Sequence, residues 1–345
     1  MATKEQVAFL GPKASYTHQV RPKPTTLSPV RETKVPQSAN YTILQQAALT
    51  HFPDTDKHTV TPQPTIEDIF TTVQSTRQAG PAATSHYGVV PFENSSNGSV
   101  IFTLDLFASA GSKYPAVEVC GEIYLPVRHC LLGRRAVGTP TTKDDDFAHV
   151  KKLYSHPQAW GQCKTFLTST PHLKALERQD VSSTSRAAEL VAQDASGESA
   201  AVSSRMAAEV NGLDVLAEGI EDSEGNSTRF FVLRRRRRRR DDDEEGEGGE
   251  GGHDWKTLVL FTVEHGEPGA LADCLAVFKR HGLNLTSINT RPSGEAAWHY
   301  VFFVELVGRK LADGRGGAVN DALAELAKVA KSCRWLGSWE NALRR

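Results

Sequence analysis

The stretch "KTLVLFTVEHGEPGALADCLAVFKRHG" (256–282) contains the two hydrophobic patterns that decide the fold of the C-terminal part of the chain. It opens with a largely apolar run, which is typical of a buried strand. A segment with apolar residues at helical spacing follows, and these residues are Leu271, Cys274, Leu275 and Phe278. Gly282 then stands where glycine ends many helices. The stretch predicts a strand followed by an amphipathic helix.

The segments after Gly282 extend this unit. Residues 283–292 and 298–307 are apolar runs that predict the two strands of a hairpin. Residues 318–330 predict a helix, whose inward side chains are Val319, Ala322, Leu323, Leu326, Val329 and Ala330. Residues 333–340 predict a closing strand. The resulting β-α-β-β-α-β order predicts a ferredoxin-like α+β domain.

The first section of the chain, up to about Leu233, alternates apolar runs with helical patterns. Strands are predicted at 7–10, 87–92, 117–127 and 230–233. Helices are predicted at 66–73, 186–193 and 203–210, and the last two have serine or threonine at the N-cap. This alternation predicts an α/β domain with mostly parallel strand pairing. The proline-rich segment 21–37 predicts a loop insertion.

Seven arginines at 234–240 run into an acidic, glycine-rich stretch. Because the opposite charges cancel and the glycines favour flexibility, we interpret 234–254 as a linker between a domain at 1–233 and a domain at 255–345. A polyanion-binding segment is the alternative, and it predicts salt-sensitive DNA or RNA binding that deletion of 234–240 abolishes. The glycines at 246–251 match a dinucleotide pattern, but no helix follows, so a nucleotide site is not expected.

Composition and charge restrict the function classes. The chain has 345 residues, a net charge of −1 and 39% hydrophobic residues, which indicates a globular protein without a general attraction to nucleic acid or anionic membranes. Its five cysteines are scattered without a C-x-x-C motif, so no metal site or disulfide framework is expected. The N-terminal residues lack a signal-peptide pattern, and a cytoplasmic location is predicted.

Five polar motifs of the first section stand next to predicted strands or helices. They are "GPKASYTH" (11–18), "VPFENSSNGSV" (90–100), "SHPQAWGQC" (155–163), "SSTSRAAEL" (182–190) and "GNSTRFF" (225–231). Each motif alone is typical of an ordinary cap or turn. Together they place hydroxyls, amides and free backbone N–H groups at element ends, which predicts a cleft for a small polycarboxylate.

In this order, the five motifs resemble the successive motifs of the prephenate dehydratase family. The final segment, with "EPGAL" and "NTRP", resembles the ACT regulatory domain that follows in that family. The resemblance implies two α/β lobes around a cleft, similar to periplasmic binding proteins, at 1–233, and an ACT domain at 255–345. It also implies that prephenate loses carbon dioxide and water to give phenylpyruvate in phenylalanine biosynthesis. No cofactor or metal is expected, because aromatisation drives the elimination.

The resemblance assigns roles to residues of the five motifs. Thr228 is implied to be essential, with its hydroxyl donating a hydrogen bond to the departing hydroxyl, and Glu93 and Asn94 are implied to act beside it. The implied substrate-binding residues are Ser15, Thr17, Ser95, Gln162, Thr184, Arg229 and Phe230. Arg229 is expected to bind a substrate carboxylate, with an ion pair as the alternative, and Phe230 to line the cleft, with a core position as the alternative. His156 is interpreted as a helix cap rather than a general acid.

The ACT resemblance implies a phenylalanine site at a subunit interface. Its implied residues are Pro268, Gly269, Ala270 and Leu271, together with Asn289, Thr290, Arg291 and Pro292. Feedback inhibition by phenylalanine and a homodimer or homotetramer formed through ACT domains are implied with it. Asn289 stands where the family has a glutamate in its "ESRP" motif, which puts the strength of regulation in doubt.

Other departures and rivals remain. Ala14 replaces a family glycine, and the hydroxyl residues at 15 and 17 are exchanged relative to the family pattern. The nearest rival is the same elimination on arogenate, which gives phenylalanine directly. A non-catalytic small-molecule sensor is a rival of another class, since two-lobed α/β folds and ACT domains both bind ligands.

Overall fold

The structure is a computed structural model, and it describes residues 4–11, 43–54, 56–75, 86–109, 113–135, 147–236, 254–312 and 316–343. The predicted loop insertion at 21–37 and most of the predicted linker lie outside these residues. None of the helices in the described ranges is both long enough and apolar enough to cross a membrane.

Eight elements lie between residue 5 and residue 126 of the described chain. They are β1 (Glu5–Leu10), α1 (Ile43–His51), β2 (His58–Gln63), α2 (Ile66–Ser75), β3 (His86–Asn94), β4 (Gly98–Ser99), α3 (Ile101–Ala108) and β5 (Val117–Pro126). Three of the predicted strands and the helix predicted at 66–73 are confirmed. The buried face of α2 consists of Ile69, Phe70 and Val73, which follow the predicted helical spacing.

Shorter elements make up the next segment of the chain. They are β6 (Cys130–Gly133), β7 (Lys152–Ser155), α4 (Pro157–Gln162), α5 (Lys164–Ser169), α6 (Pro171–Lys174), β8 (Glu177–Asp180), α7 (Thr184–Gln193), β9 (Ser199–Ser203), α8 (Arg205–Asn211) and β10 (Asp214–Glu218). Ser183 and Ser204 cap α7 and α8, and each hydroxyl accepts from a backbone N–H of the first turn. The two predicted serine-capped helices are therefore confirmed.

The last seven elements confirm the predicted β-α-β-β-α-β order after the strand that follows Thr228. They are β11 (Ser227–Arg235), β12 (Trp255–Thr262), α9 (Ala270–Arg280), β13 (Leu285–Pro292), β14 (Tyr300–Val307), α10 (Ala318–Val329) and β15 (Ser332–Glu340). β13 and β14 pair as an antiparallel hairpin, as predicted. Gly282 has a φ of 67°, and the N–H groups of Gly282 and Leu283 bond back to the last turn of α9, so the predicted helix end is confirmed.

One side chain of α10 was assigned to the wrong face. The helical spacing predicts an inward position for Val329, but this residue is 42% exposed. Val319, Ala322 and Leu326 form the buried stripe of α10, and Val329 lies at the edge of that stripe in the last turn. An apolar side chain at a stripe edge is placed by neighbouring elements, which periodicity alone does not reveal.

The chain forms two compact units. The first combines the described residues of 4–10, 47–125 and 227–343, and the second those of 11–46 and 126–226. In the described residues, the first unit holds a ten-stranded sheet in the order β13-β14-β12-β15-β5-β11-β3-β1-β2, with β4 paired to β3. The second holds a five-stranded sheet in the order β10-β6-β9-β7-β8. The fold thus combines two α/β units, and residues 255–340 add a ferredoxin-like β-α-β-β-α-β arrangement to the sheet of the first unit.

The expectation of mostly parallel pairing in the first section is wrong. β1 pairs in parallel with β2 and β3, but β11 pairs antiparallel with β3. In the second unit β7 has two parallel partners, whereas β6 pairs antiparallel with β9 and β10. β11 is antiparallel because the chain re-enters the first sheet from the opposite direction after it has built the second unit.

The C-terminal strands join the strands of the first section in one sheet of the first unit. β15 meets β5 in parallel at Gly337 and Val119, where a Cβ on Gly337 would lie 2.0 Å from the Val119 carbonyl oxygen. Gly337 also has a φ of 146°, so only glycine fits this close approach without strain. The rings of Phe231 and Trp339 then meet edge to face, with centroids 5.2 Å apart, in a shared hydrophobic core.

β11 continues beyond the predicted end of the first domain. The strand reaches Arg235, so the first two arginines of the run belong to a paired strand rather than to a linker. Arg234 donates through Nε to Glu118 at 2.8 Å, and Arg236 donates to the same carboxylate at 3.3 Å. The start of the arginine run is therefore fixed by ion pairs, and the rest of it lies outside the described residues.

Candidate active site

Two predicted motifs meet at the ends of β3 and β11. In the antiparallel register Thr228 lies opposite Asn94, and Arg229 lies opposite Glu93. The register shifts between Arg229 and Phe230, because Phe230 pairs with Pro91 and Phe92 is the extra residue of a bulge on β3. Bulges bend a strand and redirect the neighbouring side chains, and they are common beside active sites. The pairing thus brings the three residues predicted to be catalytic, Glu93, Asn94 and Thr228, to one place.

Hydrogen bonds fix the orientation of the Asn94 side-chain amide. Its Oδ1 accepts from the backbone N–H groups of Ser96 and Asn97, each at 3.1 Å, and from Asn97 Nδ2 at 2.8 Å. Because backbone N–H groups can only donate, Oδ1 must face them and Nδ2 must point the other way. Nδ2 accordingly donates to the Ser227 carbonyl at 3.2 Å and to Thr228 Oγ1 at 3.1 Å.

This arrangement defines what the Thr228 hydroxyl can do. Oγ1 accepts the hydrogen bond from Asn94, so its own hydrogen is left to donate to another acceptor. A hydroxyl that accepts one hydrogen bond is polarised and donates the next one more strongly. Thr228 is therefore arranged as a donor at the end of β11.

Ser95 links the turn after β3 to the start of β11 through two hydrogen bonds with Ser227. The Ser95 N–H donates to the Ser227 carbonyl at 2.9 Å, and the Ser227 N–H donates to Ser95 Oγ at 2.9 Å. This reciprocal pair holds the Asn94 turn against the start of β11. Ser95 thus has a structural role here, and its contact with a substrate stays a prediction.

Arg229 lies in a buried cluster of charges rather than at a free surface. Its Nη2 is 2.5 Å from Glu122 Oε2 and 2.5 Å from Glu305 Oε2, and Nε donates to Glu122 at 2.8 Å. Glu93 is more distant, with Oε2 3.8 Å from Nη1. Lys256 completes the cluster, because its Nζ donates to Glu122 Oε1 at 3.1 Å. Arg229 therefore forms ion pairs, as the alternative interpretation predicts, but these pairs are buried and do not lie at the surface.

The carboxylates of the cluster raise the pKa of Arg229. Burial alone would lower the pKa of Arg229, but the carboxylates of Glu305 and Glu122 outweigh it and raise the pKa above its ordinary value. Burial also raises the pKa of Tyr124, whose hydroxyl lies near the Glu122 carboxylate. Arg229 therefore stays charged, and its charge is balanced inside the protein.

Phe230 occupies the core position that was its alternative. Phe230 is 1% exposed, and it pairs with Pro91 beside the bulge on β3. Phe92 and Phe231 stack nearby with centroids 3.9 Å apart, and the Arg229 guanidinium lies over both rings. The aromatic residues of this strand therefore stabilise the sheet beneath the site.

The second unit holds the other predicted motifs. Gln162 ends α4, and its Oε1 lies 2.8 Å from Nε2 of the buried His129. Thr184 is the first residue of α7, whose N-cap is Ser183. His156 caps α4, with its side chain accepting from the Gln158 N–H, so the capping interpretation is confirmed.

Two predicted binding residues cannot be placed. Ser15 and Thr17 lie outside the described residues, as does Ala14. Within the ranges that the structure describes, no group of three or more histidine, cysteine, aspartate or glutamate side chains has a metal-binding arrangement.

The predicted regulatory residues separate into two groups. Gly269 caps α9, and a cavity of about 600 Å³ is lined by Gly269, Ala270 and Leu271, with His265, Trp298 and Tyr300 also contributing. Pro268 lies in the preceding turn. The second group, on β13, does not line this cavity.

Two residues of the second group contact the first section of the same unit. Asn289 Oδ1 accepts from Ser99 Oγ at 2.6 Å, and Arg291 forms two hydrogen bonds with Asp105 at 2.5 and 3.2 Å. Thr290 and Pro292 are exposed on the same strand. Within one chain, the structure therefore does not bring the two predicted parts of the phenylalanine site together.

Comparison with known proteins follows the same division of the chain. The sequence model of a family described as "Prephenate dehydratase" matches residues 37–238, more than half of the chain, and that of the ACT domain matches 257–315. The chain belongs to the prephenate dehydratase family. A bifunctional chorismate mutase/prephenate dehydratase of Aquifex aeolicus is 36% identical over 99% of this chain and 75% of its own length.

Two further members of the family extend the comparison. A probable prephenate dehydratase of Saccharomyces cerevisiae is 30% identical, over 90% of each chain. The solved prephenate dehydratase of Arthrobacter aurescens, in complex with L-Phe, is 27% identical with a TM-score of 0.69, over 98% of this chain and 90% of that chain. The similarity thus covers both the catalytic region and the ACT domain of the prephenate dehydratase fold.

Sequence reasoning missed the partners of Arg229. Glu122, Glu305 and Lys256 lie in apolar strand segments, and all three side chains are buried. A charged residue inside a predicted buried strand is an informative signal, because burial of a charge is costly without a partner. That signal was available in "VEVCGEIYLPV" and "YVFFVELV", but it does not say which charges meet.

Proposed function

We propose that this chain is a prephenate dehydratase, a carbon–oxygen lyase that converts prephenate to phenylpyruvate, carbon dioxide and water in phenylalanine biosynthesis. Membership of the family supports the reaction. The observation that carries the proposal is the hydrogen bond from Asn94 Nδ2 to Thr228 Oγ1, because it leaves the Thr228 hydroxyl as a donor. A dehydratase needs such a donor where the hydroxyl leaves.

The elimination requires few groups. The ring carboxylate leaves as carbon dioxide, and its bonding electrons enter the ring. The electron shift breaks the C–O bond on the opposite side of the ring, and the departing hydroxyl takes up a proton to leave as water. Thr228 donates a hydrogen bond to that oxygen as negative charge develops there, and Asn94 holds Thr228 in place. Since a threonine hydroxyl is a weak acid, the proton itself comes from solvent.

Binding of the two substrate carboxylates is assigned to the remaining motifs. The candidates are Ser15, Thr17, Gln162 and Thr184, with Glu93 and Ser95 shaping the site beside Thr228. Arg229 is removed from this group, because its guanidinium is taken up by Glu122 and Glu305. Phe230 is also removed from the substrate-binding group, because it is buried in the core.

The ACT domain is proposed to bind phenylalanine as a feedback inhibitor. The cavity beside Gly269 has apolar walls from Leu271 and Phe302 and backbone N–H groups from the start of α9, which suit an aromatic amino acid. The complex of the Arthrobacter aurescens relative with L-Phe supports this assignment. A homodimer or homotetramer through ACT domains would supply Asn289 to Pro292 from a second chain, and the proposed location is cytoplasmic.

The decisive experiment compares Thr228→Ala with Thr228→Ser. The alanine variant should bind prephenate yet lose at least about 10²-fold in kcat, whereas the serine variant keeps the hydroxyl and should retain most of the turnover. Phenylpyruvate formation measures kcat, and calorimetry measures prephenate binding. Wild-type turnover by Thr228→Ala would refute the mechanism.

Parallel assays separate this proposal from its two rivals. Faster turnover of arogenate than of prephenate would make the chain an arogenate dehydratase. Binding of both compounds without turnover of either would make it a sensor.

A further inference from the structure

The buried charge cluster around Arg229 links two parts of the first unit. Arg229 and Glu122 belong to the catalytic strands β11 and β5, whereas Glu305 and Lys256 belong to the ACT strands β14 and β12. The side chains of Glu122 and Glu305 are 0% and 1% exposed. Apart from Glu93, a less buried carboxylate of the catalytic part at 3.8 Å from Arg229, each part therefore supplies one cation and one carboxylate to the buried cluster.

The bonds within the cluster are directional. Arg229 Nη2 donates to Glu305 Oε2, and the other oxygen of Glu305 accepts from Thr286 Oγ1 at 2.6 Å. Thr286 lies on β13, so the β13–β14 hairpin of the ACT domain holds the carboxylate in a fixed position. The carboxylate in turn fixes one end of the guanidinium.

Arg229 transmits this position to Thr228. The two residues are adjacent on β11, and the bulge at Phe92 of β3 breaks the regular pairing of the two strands next to Arg229. The bulge disrupts the ladder between β3 and β11 beside Arg229, so the buried side-chain contacts of Arg229 help to hold the part of β11 that carries Thr228. The Thr228 hydroxyl must meet Asn94 Nδ2 and the departing hydroxyl at once, and a displacement of about 1 Å from afar can cost on the order of 10²-fold in rate.

We infer that Glu305, a residue of the ACT domain, is a positioning residue for Thr228 and acts through Arg229. The inference rests on the proposed dehydratase function. It gives the ACT domain a part in basal catalysis, separate from any response to phenylalanine.

The first test is the Glu305→Gln variant in the full chain. The glutamine cannot balance the charge of Arg229, so the guanidinium and the part of β11 that carries Thr228 are held less firmly. The expected result is a kcat for prephenate at least about tenfold lower per folded molecule, with little change in KM, because the affected interaction matters in the transition state. The matched control is Glu325→Gln. Glu325 is a glutamate of α10 that pairs with Arg280 and His281 and not with any residue of β11. This variant should keep the wild-type kcat.

A second variant separates positioning from folding. The double change Glu305→Leu with Lys256→Met removes one anion and one cation, so Arg229 and Glu122 remain as a neutral pair. This variant should fold, as shown by urea unfolding, and its kcat should stay low because the contact between Arg229 and residue 305 is gone. If Glu305→Gln does not fold, the kcat of this double variant tests the positioning role instead.

Each outcome has a defined reading. Wild-type kcat in a folded Glu305→Gln variant, or in the folded double variant, would overturn the positioning role while an active wild type upholds the proposed function. A double variant that fails to fold would overturn it too, since the cluster would then serve folding alone. Absence of prephenate turnover by the unaltered chain would overturn the proposed function and this inference together.

Discussion

At the scale of single residues, the hydrogen bonds of one amide determine the chemistry of Thr228. Asn94 combines two functions: its oxygen closes the turn after β3, and its nitrogen orients the threonine hydroxyl. The first function could be served by aspartate, since a carboxylate also accepts from backbone N–H groups. Only an amide can do both, because a carboxylate has no hydrogen to donate.

The Asn94→Asp variant tests this reading. It should keep the turn and hence the thermal stability, but the Thr228 hydroxyl would then donate to the new carboxylate instead of the leaving group. We expect kcat for prephenate to fall on the order of 10²-fold with the melting temperature nearly unchanged. A variant with a normal kcat would show that the orientation of the Thr228 hydroxyl does not limit the reaction.

Glu221 predicts a pH dependence of stability. Its carboxylate accepts from the His129 N–H at 2.9 Å and from Arg128 Nη1 at 2.7 Å. Burial acts to raise the pKa of Glu221, but these donors outweigh it, so its pKa lies below the ordinary value. The unfolded chain therefore takes up this proton first on acidification, and the stabilisation, complete above the ordinary pKa, is lost as the pH falls through the lower folded value.

The Glu221→Gln variant should show this loss directly. Near neutral pH we expect its free energy of unfolding to be about 1–2 kcal/mol below that of the wild type, and the difference should shrink on acidification. Urea titrations at neutral and acidic pH measure it. Glu177→Gln, a change at an exposed glutamate of β8, is the control and should leave the profile unchanged.

At the scale of elements, β13 connects the regulatory and catalytic parts of the first unit. Arg291 and Asn289 of β13 bond to Asp105 of α3 and to Ser99 of β4. β4 in turn pairs with the end of β3, where Asn94 lies. A shift of β13 would therefore displace the turn at Asn94, which orients Thr228.

The Asp105→Asn variant should weaken the response to phenylalanine. The loss of the charged partner of Arg291 loosens β13 from α3, so binding of phenylalanine is less strongly coupled to the catalytic strands. We expect the half-inhibitory phenylalanine concentration to rise about fivefold, with kcat in its absence preserved. Asp321→Asn, in the first turn of α10, is the matched control. An unchanged inhibition curve would contradict this coupling.

Sequence patterns were sufficient for most elements but not for their assembly. The spacing of Ile69, Phe70 and Val73 and the serines before α7 and α8 are local signals, and they placed those helices correctly. The antiparallel entry of β11 depends on where the chain returns after the second unit, which no local pattern encodes. The same holds for the site. The motif resemblance identifies Asn94 and Thr228 as site residues, but no local pattern predicts the contact of Arg229 with Glu305, because these residues are 76 positions apart.

At the scale of the whole molecule, the ACT strands and the catalytic strands share one hydrophobic core in the first unit. Phe231 of β11 and Trp339 of β15 pack together in it, and Leu258 and Phe303 of the ACT strands belong to the same cluster. Parts that share a core unfold together. The first unit should therefore respond as one body to a loss of stability in its ACT domain.

The Leu326→Ala variant tests this cooperativity by hydrogen exchange. Leu326 is fully buried in α10, and its truncation should cost about 2–5 kcal/mol. We expect the amides of β11 to lose protection in parallel with those of β12, whereas the amides of β9 in the second unit keep theirs. Loss of protection confined to the ACT strands would show that the shared sheet does not couple them.

The order of strands also constrains how the protein can be made. During synthesis residues 126–226 leave the ribosome as one continuous stretch, which can fold while the remainder is still being added. β3 and β5 emerge earlier, yet β11, which lies between them in the sheet, and β15, the other neighbour of β5, follow only after residue 226. The edges of β3 and β5 that these later strands cover must therefore stay unpaired, and open to aggregation or to chaperone binding, until the C-terminal part of the chain has been made.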